Sequence, residues 1–453
     1  MTAIVGGRVV TADGEIEADV VVSDGKVVDL AAPGTAFGEH LDARGCWVLP
    51  GGVDPHSHIM SDIRAAASAA ALGGTTTVLS FTNPDPGEGA LECLLRRREE
   101  IAAAQPAVDI GLHAMVYELD RVTFEELTEI RRAGAAGIKV FLAYPELGIM
   151  CSTRRLYELM TWTRRLGLLM QVHCENGSLI EALVAEAVES GKRGPSAFAE
   201  TRPPEVEQEA VARVLAAAAL AGAPSYLVHL SCSQALGQVR LARGRRRPEV
   251  FAEVCLHHLL LDDDHHRSGE DRFLVCPPLR DPGDREAMWE GIVDGTIDTV
   301  GSDHVQQRSL TPAALSLEGV SHRYGLAGIG PRLSLFLSEG LARGVPLRRL
   351  VELTSTTAAQ VFGHHPGKGV ITPGSDADLV VWSPEGGSTM EVGSFDDGTG
   401  DSVYTGWQYH GSVRAVLLRG RMIVSEGRLL EDRGGRYLPS GNRHGAGRDT
   451  VRR

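Results

Sequence analysis

The sequence predicts an α/β protein: a (β/α)₈ TIM-like barrel with a small flanking β-sandwich domain formed from both chain ends. Three observations predict it. At 453 residues the chain can hold one large barrel plus a minor domain. Its middle alternates continuous apolar, β-rich runs with Ala- and Leu-rich helical stretches, the pattern of a parallel sheet buried on both faces. Short alternating strands with tight-turn signals occur before that region and return after it.

Taken in order, residues 3–30 alternate in polarity, with turn signals at Gly6–Gly7, Asp13–Gly14 and Asp24–Gly25. They predict the first half of the β-domain. Cys46–Pro50 (CWVLP) is an apolar strand signal, and it leads into GGVDPHSH at 51–58. Further strands are expected at Thr75–Phe81, Val108–Val116, Gly137–Leu142, Leu168–Cys174, Ser225–Leu230, Val250–Leu256 and Thr299–Asp303, which with the strand before His56 makes eight. Helices are expected at Ile63–Ala71, Ala90–Ala104, Phe124–Ala133, Thr153–Leu166, Pro204–Ala221 and Gln234–Arg243. Helical stretches continue at Pro331–Arg343, Pro346–Leu353 and Thr356–Phe362. Short strands then return at Gly369–Ile371, Ala377–Trp382, Val413–Leu418 and Arg421–Val424, as the second half of the β-domain. The expected division is a sandwich from 1–50 and 367–436, a barrel at 51–366, and a flexible basic tail at 437–453; the Gly- and Arg-rich stretch from Gly434 is expected to be mobile or a crossing arm. An open doubly wound sheet is the competing architecture, and no GxGxxG or P-loop supports it.

Composition narrows the function. Hydrophobic residues make up 43% and charged residues 23%, an ordinary soluble balance. The formal net charge of −14 argues against a nucleic-acid or anionic-membrane surface. No apolar run reaches the roughly 18 residues of a membrane span, and the N-terminus lacks a basic segment followed by an apolar core. Seven scattered cysteines without a CxxC predict reduced thiols and a cytoplasmic protein.

The chemistry is concentrated where barrel strands end. On an extended strand His56 and His58 share one face. Active sites of parallel barrels lie at the C-terminal strand ends. There the fourth strand carries Lys139, the fifth ends at His173, the sixth at His229 and the eighth at Asp303. One histidine at a strand end is ordinarily a satisfied core or rim group, and an aspartate there can be a helix cap. A lysine inside an apolar strand is harder to dismiss, because Lys is almost never buried unpaired. Four histidines and an aspartate can ligate two metal ions, and two neighbouring cations need a bridging anion. Lys139 becomes one if its amine takes up carbon dioxide as a carbamate, a form the cations favour. Two such metals polarise a carbonyl and acidify a bound water.

These residues sit in motifs that resemble the cyclic amidohydrolases of the amidohydrolase superfamily, nearest the dihydropyrimidinase and hydantoinase branch. The motifs are GGVDPHSH at 51–58, GGTTTV at 73–78, GIKVFLAY at 137–144, VHCENG at 172–177, VHLSC at 228–232, AEVC at 252–255, PPLR at 277–280 and GSDH at 301–304, with ELTST and GSDADLVVW near the end. The resemblance implies a binuclear site, with zinc the expected ion and manganese or cobalt the alternatives. It implies His56, His58 and Asp303 on one metal, His173 and His229 on the other, and carboxylated Lys139 between them. It implies hydrolysis of a small cyclic amide, with Asp303 as general base and then acid, and the Tyr144 phenol stabilising the oxyanion. It also implies a homo-oligomer, a tetramer or dimer.

Three departures concern the substrate. The loop after His58 is shorter than is usual in hydantoinases. Cys276 stands where a serine usually precedes PPLR, and Tyr324 where an asparagine backbone usually holds the ring; Cys276, Tyr324 and Tyr144 are the expected substrate contacts. Alternatives with the same machinery are ring closure in a specialised pathway and an allantoinase- or dihydroorotase-like hydrolysis; the resemblance to those last two implies a basic residue near the pocket, for which Arg64 and Arg308 are candidates. A non-catalytic scaffold of the same fold is opposed by the presence of all six metal-site residues. His257 and His258 are expected to be one packed and one solvated, Asp262–Asp264 with His265 and His266 a solvated loop, and Cys174 and Cys232 packing residues.

Overall fold

A computed structural model describes residues 2–36, 38–244, 248–306, 308–317, 321–400 and 402–441. Its centre is a parallel sheet of strands β1 (Gly52–His58), β2 (Thr75–Phe81), β3 (Asp109–Met115), β4 (Gly137–Phe141), β5 (Leu169–His173), β6 (Ser225–Leu227), β7 (Val250–Cys255) and β8 (Thr299–Gly301), each paired with the next. The chain leaving β8 closes the ring. Thr299–Gly301 pairs with β7, and His304–Val305, two residues on, pairs with Ser57 and His58 of β1. Strands β2 to β7 are buried at every position, which explains their continuous apolar runs.

The expected helices surround this sheet. Ala90–Ala104, Thr153–Leu166 and Pro204–Ala221 have the bounds the sequence suggests. Thr153–Leu166 shows why: the Ser152 side chain accepts from Arg155 N–H at the start, and Gly167 ends it at φ 67°. Helices Gly177–Glu189, Gly194–Glu200 and Pro282–Val293 were not expected. The first opens on a glycine, and its first turn is held by the Asn176 side chain.

Cys46–Pro50 departs from expectation. Trp47–Pro50 is not a barrel strand; it pairs antiparallel with Leu379–Thr389 and parallel with Arg8–Thr11 in a seven-stranded sheet. Val48 packs into the sandwich core while Leu49 packs on the barrel side, so the strand is apolar on both faces. The His-bearing run itself is the first barrel strand, despite Gly51, Gly52 and Pro55. A side chain on Gly51 would collide with Thr76, so only glycine lets the chain cross there.

The seven-stranded sheet joins both chain ends and faces a four-stranded sheet of Thr2–Val5, Asp19–Ser23, Lys26–Ala31 and Glu39–Asp42. Ile4, Val20, Val48, Leu379 and Leu417 lie between them. Gly369–Ile371, expected as a strand, is not one; Ile371 packs into this core from a loop. Lys368, almost fully buried, ties the units together, reaching Asp109 of β3 at 2.7 Å and Asp378 at 2.5 Å. Residues 434–441 lie against the barrel, as a crossing arm would: Leu438 N–H bonds Ile110 O at 2.8 Å, and Ser440 N–H bonds Gly134 O at 2.9 Å. Residues 442–453 of the expected tail lie outside the described residues.

Candidate metal centre and active site

The barrel's C-terminal rim brings all six expected metal-site residues together. Neighbouring imidazoles there are close: His56 to His58 and His56 to His229 have ring centroids 5.5 Å apart, and His173 to His229 4.6 Å. Asp303 Oδ1 is 3.0 Å from His56 Nε2 and 3.6 Å from His58 Nε2. Lys139 lies between the two histidine pairs. Its Nζ is 4.9 Å from the ring of Phe81, which packs on His56 and His58, and 5.3 Å from the ring of Phe141, which packs on His173.

Local backbone sets these directions. Tyr144, His229 and Asp303 all have left-handed φ, at 63°, 37° and 46°. Non-glycine residues hold that region at a cost of about 1–3 kcal/mol each, and such residues cluster at functional sites. Gly301 permits the close approach: a Cβ there would lie 3.0 Å from His56 Cβ and 3.1 Å from Glu253 Cδ.

The buried donor atoms fit a cation. Glu253 Oε1 accepts from His56 Nδ1 at 2.6 Å, which leaves Nε2 to face the centre and, in the neutral imidazole that a metal selects, to offer it a lone pair. That Nε2 makes no hydrogen bond even though Asp303 Oδ1 is 3.0 Å away. The two atoms are close without pointing at each other, as two ligands of one ion would be. Glu175 Oε2 accepts from His173 Nε2 at 2.8 Å, which leaves Nδ1 facing His229 Nε2 at 3.0 Å. Asn83 Oδ1 does the same for His58 Nδ1 at 3.3 Å. Among the described residues His56, His58 and Asp303 form one group able to hold a metal ion.

The electrostatics agree. Burial pushes His58 down to about 3 and also lowers His173 and His229, keeping these imidazoles neutral, as ligands must be. His56 is the exception: burial alone would lower it, but the charges of Glu253 and Asp303 raise it to about 9. Burial would raise Asp303, yet His56 and His58 hold it well below the usual carboxylate range. Lys139 is lowered by burial to about 8, against a partial pull from Asp303 and Glu253. Among the described residues its amine has no hydrogen bond and no ion pair, so it reaches the neutral, nucleophilic form at a lower pH than an exposed lysine does.

The expected substrate residues adjoin this centre. The Tyr144 ring lies 5.1 Å from His173, and burial holds its phenol well above the ordinary value. Tyr324 is nearly parallel to Tyr144 at 6.4 Å and packs on Phe198 at 5.3 Å. Cys276 is buried with Phe198 and Leu274 in the same cluster. Arg64 pairs with Asp432, and Arg308 donates to the carbonyls of Asp271 and Arg323, so both are engaged elsewhere. The short loop after His58 is pinned by Gln306, whose Oε1 accepts from Met60, Ser61 and Asp62 N–H at 3.0, 3.2 and 3.3 Å.

Other expectations need correction. His257 and His258 are both buried, on a short helix Leu256–Leu260 that continues from β7. His266 is also buried and accepts from Leu279 N–H at 2.9 Å, so that segment is not simply a solvated loop. Sequence reasoning missed Glu253, Glu175 and Asn83. A signal existed for two of them: Glu253 is an acid inside the apolar run VFAEVC, and Glu175 follows His173 at same-face spacing.

Fold and site define a barrel hydrolase of the amidohydrolase type, and the sequence bears this out: residues 47–423 match the Amidohydrolase family, to which this chain belongs. Within the family the similarity is to hydantoin- and dihydropyrimidine-named enzymes. The chain is 34% identical to a D-hydantoinase of Rhizobium radiobacter over 446 residues, 94% of this chain and 95% of that one. It is likewise 34% identical to a D-phenylhydantoinase of Escherichia coli (strain K12 / DH10B), over 96% and 97% of the two chains. The crystal structure of dihydropyrimidinase from Brevibacillus agri NCHU1002 superposes with a TM-score of 0.91 at 33% identity, covering 97% of this chain and 99% of that one.

Proposed function

We propose that this protein hydrolyses the C–N bond of a small cyclic amide or imide, a dihydropyrimidine or hydantoin-like ring, at a two-metal centre. The observation that carries the reading is the convergence of His56, His58, Lys139, His173, His229 and Asp303 on one barrel rim, with Glu253 and Glu175 holding two of the imidazoles. Its relatives are named for that chemistry.

His56 and His58 with Asp303 would hold one ion, His173 and His229 the other, and carboxylated Lys139 both; the nitrogen-rich donor set favours zinc. When bound, the ions supply Lewis-acid polarisation of the ring carbonyl and lower the pKa of a water. The chain's own groups do the rest. Asp303, kept ionised, accepts the proton of the attacking water on its carboxylate and returns it to the ring nitrogen as the bond breaks. Tyr144, kept protonated by burial, donates its O–H to the carbonyl oxygen as negative charge develops there. Tyr324 and Cys276 form the wall beside it. The protein acts as a cytoplasmic homo-oligomer, dimer or tetramer. Its seven unpaired cysteines suit a reducing compartment, and no helix among the described residues is long and apolar enough to cross a membrane.

The test is a ring-opening panel of dihydrouracil, hydantoin, 5-substituted hydantoins, allantoin and dihydroorotate, with protein reconstituted in zinc and bicarbonate. Turnover of dihydrouracil or a hydantoin is expected, with two metals per chain. A protein that binds no metal is a scaffold, and the reading falls.

A further inference from the structure

One buried imidazole beside the centre is unused by the roles above. His257 is fully buried, and neither Nδ1 nor Nε2 has a hydrogen-bond partner among the described residues. Its neighbour His258 is satisfied on one side, through Pro277 O at 3.1 Å. Leaving a buried polar group unsatisfied forfeits its hydration without return, so a fold that keeps two such nitrogens in one ring keeps them for a partner. The surroundings name it. A ring nitrogen of His257, Cys255 Sγ and a carboxylate oxygen of Asp303 all lie within 4.8 Å of one another. Cys255 is a weak acceptor and is already engaged with Glu253 Oε1 at 3.6 Å. Asp303 is a strong acceptor, and the oxygen it turns toward both His56 and His58 is the same one, Oδ1. Its second oxygen is left to be oriented by something else.

We propose that His257 is a positioning residue for Asp303: its ring N–H holds the carboxylate in the metal-loaded enzyme, so that the oxygen which accepts and returns the proton faces the ring nitrogen in one orientation. This rests on the ring-opening reading for its kinetics, but not for its structural readout. Partners of this kind are worth about 10–100-fold in activity when removed.

The experiment compares wild type, His257→Leu and His257→Gln, each loaded with zinc for kinetics and with cobalt for the visible ligand-field spectrum. His257→Leu removes the donor, and His257→Gln keeps an amide N–H. Expected for His257→Leu are two metals per chain, a kcat lowered about 10–100-fold with KM little changed, and altered cobalt bands. Expected for His257→Gln is recovery of most of the rate and of the wild-type spectrum. A His257→Leu enzyme with kcat within about twofold of wild type and unchanged bands overturns the proposal. So does a glutamine variant no better than leucine, or loss of a metal, which would make His257 a ligand. Should His257→Leu fail to fold, His257→Phe, a ring without an N–H, is read by the same criteria. If wild type opens no ring in the panel, the ring-opening reading falls, and the cobalt spectra still decide on His257.

Discussion

Replacing Glu253 with glutamine separates charge from geometry at the centre. The Glu253 carboxylate is fully buried and, besides the Cys255 thiol, serves three donors. Oε1 accepts from His56 Nδ1 at 2.6 Å and from His229 N–H at 3.0 Å, and Oε2 accepts from Tyr226 O–H at 2.6 Å. A glutamine of the same shape can keep its carbonyl oxygen on His56 and His229. Its amide then meets the Tyr226 hydroxyl, which can turn to donate to Thr299 Oγ1, 2.6 Å away. The hydrogen-bond count is therefore preserved, and the fold should survive with a melting temperature within a few degrees of wild type. The negative charge is lost. That charge is a principal force raising His56 against its burial, and the same force makes Nε2 a better electron donor to a cation. Carboxylates that hydrogen-bond metal-binding histidines contribute about 10–100-fold in metal affinity, or roughly 1.4–2.8 kcal/mol. Competition between the protein and a chromogenic chelator for zinc measures this directly. Glu253→Gln should bind its weaker ion about 10–100-fold less tightly. An affinity within twofold of wild type in a folded variant would mean that His56 does not present Nε2 to a metal.

Lys139→Ala and Asp303→Ala should each lower turnover by about 100- to 10,000-fold, with circular dichroism unchanged; Lys139→Ala should also lose metal by elemental analysis, and a wild-type rate in Asp303→Ala would discard it as the base. Metal-free protein at fixed dissolved carbon dioxide should regain metal binding more completely as pH rises through about 8, because only the neutral Lys139 amine forms a carbamate and burial lowers that amine to about 8. An ordinary exposed lysine would show its midpoint more than two units higher, since its unperturbed value is about 10.4. Lys368→Met should destabilise the fold by about 3–5 kcal/mol in denaturant titration, because it removes the cation from the buried Asp378 and leaves the buried Asp109 with Arg419 alone. A loss under 1 kcal/mol would show that Arg419, which also reaches Asp109 at 2.5 Å, carries that carboxylate alone.

The barrel was legible because burial on both faces leaves a mark in composition. Thr75–Phe81 was readable residue for residue, since every one of its side chains is inside. The same rule misassigned Cys46–Pro50. A strand apolar on both faces reads as a barrel strand whether its second face meets helices or, as with Val48 and Leu49, two different cores. Only pairing partners distinguish the cases, and these lie far off in sequence, one at Arg8–Thr11 and the other over 300 residues away at Leu379–Thr389. Gly369–Ile371 failed differently. Ile371 is buried like a strand residue but reaches the core from a loop, and hydrophobicity alone does not record backbone hydrogen bonding.

The site was legible in proportion to how directly each residue would touch a metal. His56, His58, His173 and His229 stand out because imidazole at a strand end is chemically conspicuous, and Lys139 because an amine inside an apolar strand needs a reason. The groups that orient them are quieter. Asn83 lies two residues beyond β2, where an asparagine is the ordinary residue of a turn, and nothing in its neighbourhood announces His58. His257 was misjudged for a further reason. Read on a strand, adjacent histidines alternate between core and solvent, so one of the pair should be wet. The chain instead turns into a helix at Leu256, which carries His257 and His258 inward together. A one-residue change of backbone conformation at the end of β7 thus moves an imidazole from the solvent side to within reach of Asp303, and that placement follows from where the strand stops, which no local pattern in VFAEVCLHHLL specifies.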